Sequence, residues 1–330
     1  MPRPDVLEAP AALEAPDVLE APDVLEAPAV LAELDAPAVL DASGQHRFEA
    51  IGTVWHITTD RALPADVRRA VAERIERFDR DWSRFRADSL VSAIARTPGQ
   101  YVLPADAAPL LDLYARLDRA TDGSVNPLVG RRLEGLGYDA AYSLVASADP
   151  VGVPAWSDAA TWDGRVLTTR EPVMLDIGAA GKGYLVDLVA GILRSFGVDE
   201  YVVDAGGDLL HRGATPARVA LEHPDDPSLA IGVIELDNAA LAASAPNRRT
   251  WGDGLHHILD ARTGEPTRDV LATWALAPTA LEADGLATAL FFGGVDELRA
   301  AGVGDRFEGL RILRGPVVEA SPVFEAVLFA

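Results

Sequence analysis

The stretch Leu175–Asp187, LDIGAAGKGYLVD, continues a short apolar run (Val173, Met174, Leu175) into an acid, Asp176, and through a turn with glycines at 178, 181 and 183. Beyond it Leu185, Leu188, Val189, Ile192 and Phe196 recur at helical spacing. The pattern predicts strand, turn and helix, with Lys182 at the mouth of the helix. Backbone N–H groups at a helix N-terminus, with a lysine beside them, suit an anion such as a phosphate. A Walker A loop is excluded, because Asp176 stands where its first glycine belongs and Gly183 where Ser or Thr should follow the lysine. The order Gly178, Gly181, Gly183 also departs from the dinucleotide fingerprint. A phosphate site and a plain tight turn both use glycine in this way, and the stretch alone does not separate them.

Around this stretch, 330 residues suffice for one large domain or two. The formal net charge of −22 argues against nucleic acid or an anionic membrane as partner. Part of that charge is local: residues 1–45 hold ten Asp or Glu against one Arg. There Pro4, Pro10, Pro16, Pro22 and Pro28 punctuate a degenerate Ala-Pro-Asp-Val-Leu-Glu repeat, which predicts a disordered acidic tail followed by one domain over 46–330. The chain has no cysteine, which excludes disulfides, thiolate metal sites and a lipid-modified cysteine. No apolar run reaches the roughly 20 residues of a membrane span, and the N-terminus lacks the features of a secretory signal. The expected location is cytoplasmic, without membrane insertion.

Taken in order, Phe48–Thr58 reads as one strand that includes Gly52-Thr53, and a helix follows with Val67, Val71, Ile75, Phe78, Trp82 and Phe85 on one face. A second helix carries Leu110, Leu113, Tyr114 and Leu117 and stops at Thr121-Asp122-Gly123. Tyr201-Val202-Val203 is a strand running into Asp204-Ala205-Gly206-Gly207-Asp208, where paired glycines either let a backbone pass close to something bulky or make a hairpin bend. His256 to Gly264 gathers two imidazoles, an acid, a base and a turn in nine residues. Thr279 to Glu282 fits a capping box, and on the helix it opens Asp284 and Thr288 share a face. A carboxylate and a hydroxyl side by side are hard oxygen donors suited to Mg²⁺, although the same pair also serves as an ordinary helix-face contact.

Together, Ile51-Gly52-Thr53, Ser83 to Ser89, Leu175 to Asp187, Asp204 to Asp208, His256 to Gly264 and Ala283 to Leu290 resemble, in order, the motifs of the ApbE family of FAD:protein FMN transferases. The resemblance implies an α+β fold of two lobes with the flavin site between them. It implies Mg²⁺-dependent transfer of FMN from FAD, the substrate, to a threonine in a Ser/Thr-Gly-Ala-Thr-like segment of a flavoprotein acceptor, releasing AMP. The alternatives on the same site are a metal-dependent FAD pyrophosphatase and a non-catalytic flavin-binding protein. By the same resemblance the metal ligands are Asp284, Thr288 and the carbonyl of Gly181; Lys182 assists at the pyrophosphate or positions the loop; and His257 lies at the flavin or acts on the acceptor hydroxyl. Ile51, Gly52, Thr53, Asp187, Gly206, Gly207 and Asp208 are implied at the cofactor, the paired glycines because a side chain would collide with the ring system. The chain departs from the family pattern at Ile51 (methionine), Leu90 (glutamate), Ala95 (asparagine), Asp204 (asparagine), Gly181 (alanine) and Ala245 (glycine).

Overall fold

Residues 44–148, 151–304, 306–315 and 317–329 are described by the computed structural model of the chain. Apart from Gly44 and Gln45, the acidic tail expected over 1–45 lies outside the described residues. The first strand opens at Gln45, ahead of Phe48. It is also half of a hairpin rather than one long strand: β1 (Gln45–Ala50) pairs antiparallel with β2 (Thr53–Thr59). The cause is the turn at Ile51 and Gly52, with φ of 43° and 77°. Two consecutive left-handed residues make the tight hairpin whose twist matches that of its strands.

Six more strands complete the sheet: β3 (Tyr201–Asp204), β4 (Asp208–Arg212), β5 (Ala240–Ser244), β6 (Val270–Ala277), β7 (Glu308–Leu313) and β8 (Val317–Ala320). Among the described residues these eight strands lie side by side in chain order, and every neighbouring pair is antiparallel. The run Val173–Leu175 is not a strand. It is a buried irregular segment held by bonds from Asp176 N to the Pro127 carbonyl and from Gly130 N to the Met174 carbonyl.

Five helices matter for the site: α1 (Ala65–Trp82), α2 (Leu90–Arg96), α3 (Ala108–Ala120), α4 (Gly181–Ser195) and α5 (Ala280–Ala289). The apolar stripe of α1 ends at Trp82, and Phe85 lies beyond the helix. The sequence reading missed α2, whose N-cap is Ser89, its side chain accepting from Ser92 N. The helical core packs on one face of the sheet, and the antiparallel ribbon 217–222/230–236 packs on the other. On β5 and β6 the period of two sends Ala240, Ala242, Ala275 and Ala277 toward the helices and Leu241 and Trp274 toward the ribbon. The small alanines let α5 come close, and Thr273 donates to the Ala287 carbonyl of α5 at 2.6 Å. Among the described residues no helix is long and apolar enough to cross a membrane.

Helices α4 and α5 meet at Gly183. A Cβ there would lie 2.0 Å from the Ala280 carbonyl oxygen and 2.7 Å from Asp284 Cβ. Each helix also supplies a carboxylate to the other's N-terminus. Asp187 accepts from Ala280 N and Leu281 N at 3.0 and 2.9 Å, and Asp284 accepts from Gly183 N at 2.9 Å. Four orphan N–H groups begin every helix, so this exchange satisfies donors that the N-cap Thr279, whose hydroxyl accepts from Glu282 N, does not reach; the reciprocal bond of the expected capping box is replaced by one from the Thr279 hydroxyl to the Glu282 carboxylate. Gly183→Ala is therefore expected to lower the urea unfolding midpoint, at a cost of about 1–3 kcal/mol or more from overpacking against backbone. Gly191→Ala on the same helix meets only Arg194, at 4.0 Å, and should leave the midpoint unchanged or raise it through the ~1 kcal/mol better helix propensity of alanine.

Candidate active site

Where α4 and α5 cross, their first turns face the hairpin between β3 and β4, and three charged side chains converge. The Lys182 ammonium contacts Asp208 Oδ2 and lies 3.7 Å from Asp284 Oδ1. Both carboxylates are buried, Asp208 at 0% and Asp284 at 2% exposure. The count is two acids against one ammonium, and Asp208 Oδ1 has no hydrogen-bond partner. Desolvation, reinforced by the charge of Asp284, pushes the Asp208 pKa up to about 7 in spite of Lys182. Burial likewise raises that of Asp284. Desolvation works against the charged lysine, but the two acids outweigh it and its pKa is raised.

Thr288, one turn after Asp284, donates its hydroxyl to the Ala179 carbonyl at 3.2 Å. This revises the expected donor set. Gly181 is the first residue of α4, so its carbonyl is directed along the helix toward an amide four residues on, whereas the carbonyl within reach of Thr288 belongs to Ala179. Asp187 is also reassigned: both of its oxygens cap α5, and it does not line the cleft. Among the described residues no three His, Asp or Glu side chains form a metal cluster, so an ion here would depend on hydroxyl and carbonyl oxygens as well as carboxylate.

The turn between β3 and β4 has φ of 67° at Gly206 and 104° at Gly207. A Cβ on Gly206 would strike Thr53 Oγ1 at 2.1 Å, while one on Gly207 meets nothing within 4 Å. At Gly206 the group within the protein that a side chain would meet is thus Thr53. Asp204, standing where the family pattern has asparagine, accepts from Gly207 N at 2.9 Å, a bond that either side chain can make. Ile51, Gly52 and Thr53 line the same cleft from the β1–β2 turn.

Two groups that the sequence reading left unassigned frame the opposite wall. Arg84 bonds Asp176 Oδ2 through Nε at 2.6 Å and the Tyr138 carbonyl through Nη1 at 2.7 Å, while Asp176 Oδ1 accepts from Gly178 N. This buried pair, 92 positions apart in the chain, ties the glycine turn to the segment after α1. The Arg84 guanidinium lies 4.2 Å from the Phe85 ring centroid and begins an aromatic shelf. Phe85 stacks on Tyr142 at 5.4 Å, and Tyr138 stacks on Trp251 at 5.5 Å. The signals were present in Ser83-Arg84-Phe85 and Gly135–Asp139, but neither has a periodicity that reports a shelf.

The two histidines separate cleanly. His256 Nε2 bonds the Thr267 carbonyl at 2.8 Å and its Nδ1 accepts from Ile258 N, so it is a structural residue. His257 lines the cleft, and its Nδ1 is buried without a partner. Desolvation and then the charge of Arg249 push its pKa down to about 3, against a backbone hydrogen bond at Arg249. The imidazole is neutral at physiological pH.

Lys182, Asp284, Thr288, Gly206, Gly207, the aromatic shelf and His257 open into one cleft of about 1730 Å³, above the few hundred to roughly 1,000 Å³ usual for a small-molecule site. The sequence pattern of the ApbE family matches residues 51–304. An FAD:protein FMN transferase of Klebsiella pneumoniae is 25% identical over 273 residues, covering 76% of this chain and 78% of that one. A second protein of that name, from Rhodobacter capsulatus, is 29% identical over 304 residues, with 86% of this chain spanning 58% of the relative. The crystal structure of an ApbE protein of Thermotoga maritima superposes with a TM-score of 0.74 at 25% identity, covering 87% of this chain and 99% of that one. The matched span takes in the β1–β2 turn, both acids, the lysine and the cleft histidine, and with these the chain belongs to the ApbE family.

Proposed function

We propose that this chain is an FAD:protein FMN transferase, moving FMN from FAD to a threonine hydroxyl of a flavoprotein acceptor. The observation that carries the reading is the buried cluster of Asp208, Asp284 and Lys182, one positive charge short of neutral, at the head of a cleft with an aromatic shelf. Two carboxylates at this burial are costly unless paired, and among the described residues Asp208 Oδ1 has no partner, so a further cation would offset the excess charge. The donor chemistry fits Mg²⁺, held by the Asp284 carboxylate, the Thr288 hydroxyl and the Ala179 carbonyl, with Asp208 facing it. Bound there, Mg²⁺ would neutralise charge on the pyrophosphate oxygens.

The chain's own groups do the rest. The shelf of Phe85, Tyr138, Tyr142 and Trp251 offers faces on which an aromatic ring of the dinucleotide stacks. Gly206 and Gly207 keep the opposite wall low. Lys182 balances the acids and faces the phosphates. His257 takes the proton of the acceptor hydroxyl as its oxygen bonds to the FMN phosphorus and the bond from that phosphorus to AMP breaks. A pyrophosphate bound near His257 adds negative charge that raises its otherwise low proton affinity. The size of the cleft accommodates both a dinucleotide and an extended peptide segment. The acceptor's Ser/Thr-Gly-Ala-Thr-like segment and a cytoplasmic setting belong to the same proposal.

Incubation with FAD, Mg²⁺ and an acceptor bearing that segment should leave flavin fluorescence on the acceptor after denaturing electrophoresis. Free FMN without labelling would replace the transferase reading with a pyrophosphatase. Asp284→Asn keeps an oxygen for Gly183 N but removes the charge, so this variant should lose both labelling and the rise in melting temperature on adding Mg²⁺, while still quenching FAD fluorescence. Retained Mg²⁺ stabilisation would remove Asp284 from the metal site. His257→Ala should slow labelling by roughly 10²–10⁴-fold at an unchanged melting temperature. His256→Ala should instead cost stability, about 1–3 kcal/mol, because it leaves the Thr267 carbonyl and Ile258 N–H without their partner.

A further inference from the structure

Seven Lys or Arg side chains line the cleft, and six of them are occupied. Arg68 bonds the Leu63 carbonyl, Arg69 pairs with Glu73, Arg84 with Asp176, Arg86 with Asp79 and Asp88, Lys182 with Asp208, and Arg248 with Glu222. Among the described residues the seventh, Arg249, has a guanidinium with no hydrogen bond or ion pair.

Its position follows from the register of a short hairpin. Residues 250–251 pair antiparallel with 255–256, Thr250 opposite His256 and Trp251 opposite Leu255. Arg249 and His257 adjoin the open end of this pairing, and both line the cleft. Trp251, two residues on from Arg249, lines it too and stacks on Tyr138. This end of the cleft therefore brings together the indole of the shelf, Arg249 and the His257 imidazole. The backbone is fixed at this point by Arg249 N donating to the Pro246 carbonyl at 3.2 Å.

We propose that Arg249 binds the pyrophosphate of the dinucleotide, bridging the aromatic shelf to the reacting end of the cleft. This rests on the reading of the cleft as an FAD site. A planar guanidinium matches two phosphate oxygens at once, and such charge-assisted pairs are the strong ones. An anion would relieve the field around Arg249. Its charge disfavours protonation of His257, of Lys182 and of Tyr138, and unlike Lys182 it has no carboxylate to balance it. A bound pyrophosphate offsets that charge and at the same time releases His257 from its suppression.

The test is a fluorescence-quenching titration of the full chain with FAD and, separately, with riboflavin, which has the ring system but no phosphate. Arg249→Gln should weaken FAD binding by roughly tenfold to a hundredfold and leave riboflavin within about twofold of wild type. Arg249→Lys, keeping the charge without the fork, should fall between the two for FAD. Since the guanidinium holds nothing in the fold, both variants should unfold at the wild-type midpoint. Wild-type FAD affinity in Arg249→Gln, or an equal loss for riboflavin, overturns the assignment. A wild-type chain that binds neither flavin overturns the FAD reading itself and the assignment with it, an outcome distinguishable from the first because it appears before any substitution.

Discussion

The exchange of carboxylates between α4 and α5 is the interaction on which the rest of the site depends. Two helix N-termini, each with unsatisfied N–H groups, approach so closely that only glycine fits between them at position 183. Asp187 closes one helix start and Asp284 the other. Asp284 consequently sits deep in the structure with one oxygen held by a backbone amide and the other turned toward Lys182. The residue proposed to bind metal is thus also a structural cap, which fixes its orientation before any ligand arrives.

The electrostatics of the cleft follow from that burial. Packing puts Asp208 and Asp284 where neither is comfortable as an anion, and one lysine does not balance both. On the facing hairpin the imbalance has the opposite sign, with an unpaired guanidinium beside a neutral imidazole. The proposed pyrophosphate and its cation would satisfy both walls together, the cation at the acids and the anion at the guanidinium. The arrangement is preorganised in the sense that the protein bears the desolvation cost during folding and not during the reaction.

Much of this was legible in the sequence, for physical reasons that differ by element. Helix α1 and helix α3 announced themselves by apolar spacing, and α5 by Thr279 and Glu282, because periodicity and capping are local. The turn at Asp204 to Asp208 was legible because paired glycines have few uses. Asp187 was misread because its partners, Ala280 N and Leu281 N, lie over ninety residues away and no local pattern reports a cap supplied by another helix. The choice between the carbonyls of Gly181 and Ala179 was not legible, because position in a motif does not tell whether a carbonyl points along a helix or out of it. The hairpin at Ile51 was hidden by an isoleucine at a φ that β-branched residues seldom adopt. The salt bridge of Arg84 to Asp176 and the shelf beside it are products of tertiary packing alone.

The sheet runs in chain order, but its steps are unequal. Most neighbouring strands are close in sequence, while β2 and β3 join only when Thr59 finds Tyr201, after α1 to α4 have been laid down between them. Closing a loop of that length is the slow, non-local event among the strand pairings, since its entropy is lost before the pairing gives anything back. Thr53 meets Gly206 only across that junction. The wall of the cleft that faces the shelf is therefore complete only once the two sheet neighbours farthest apart in the chain have paired, so that the least local contact of the sheet is also one the cleft requires.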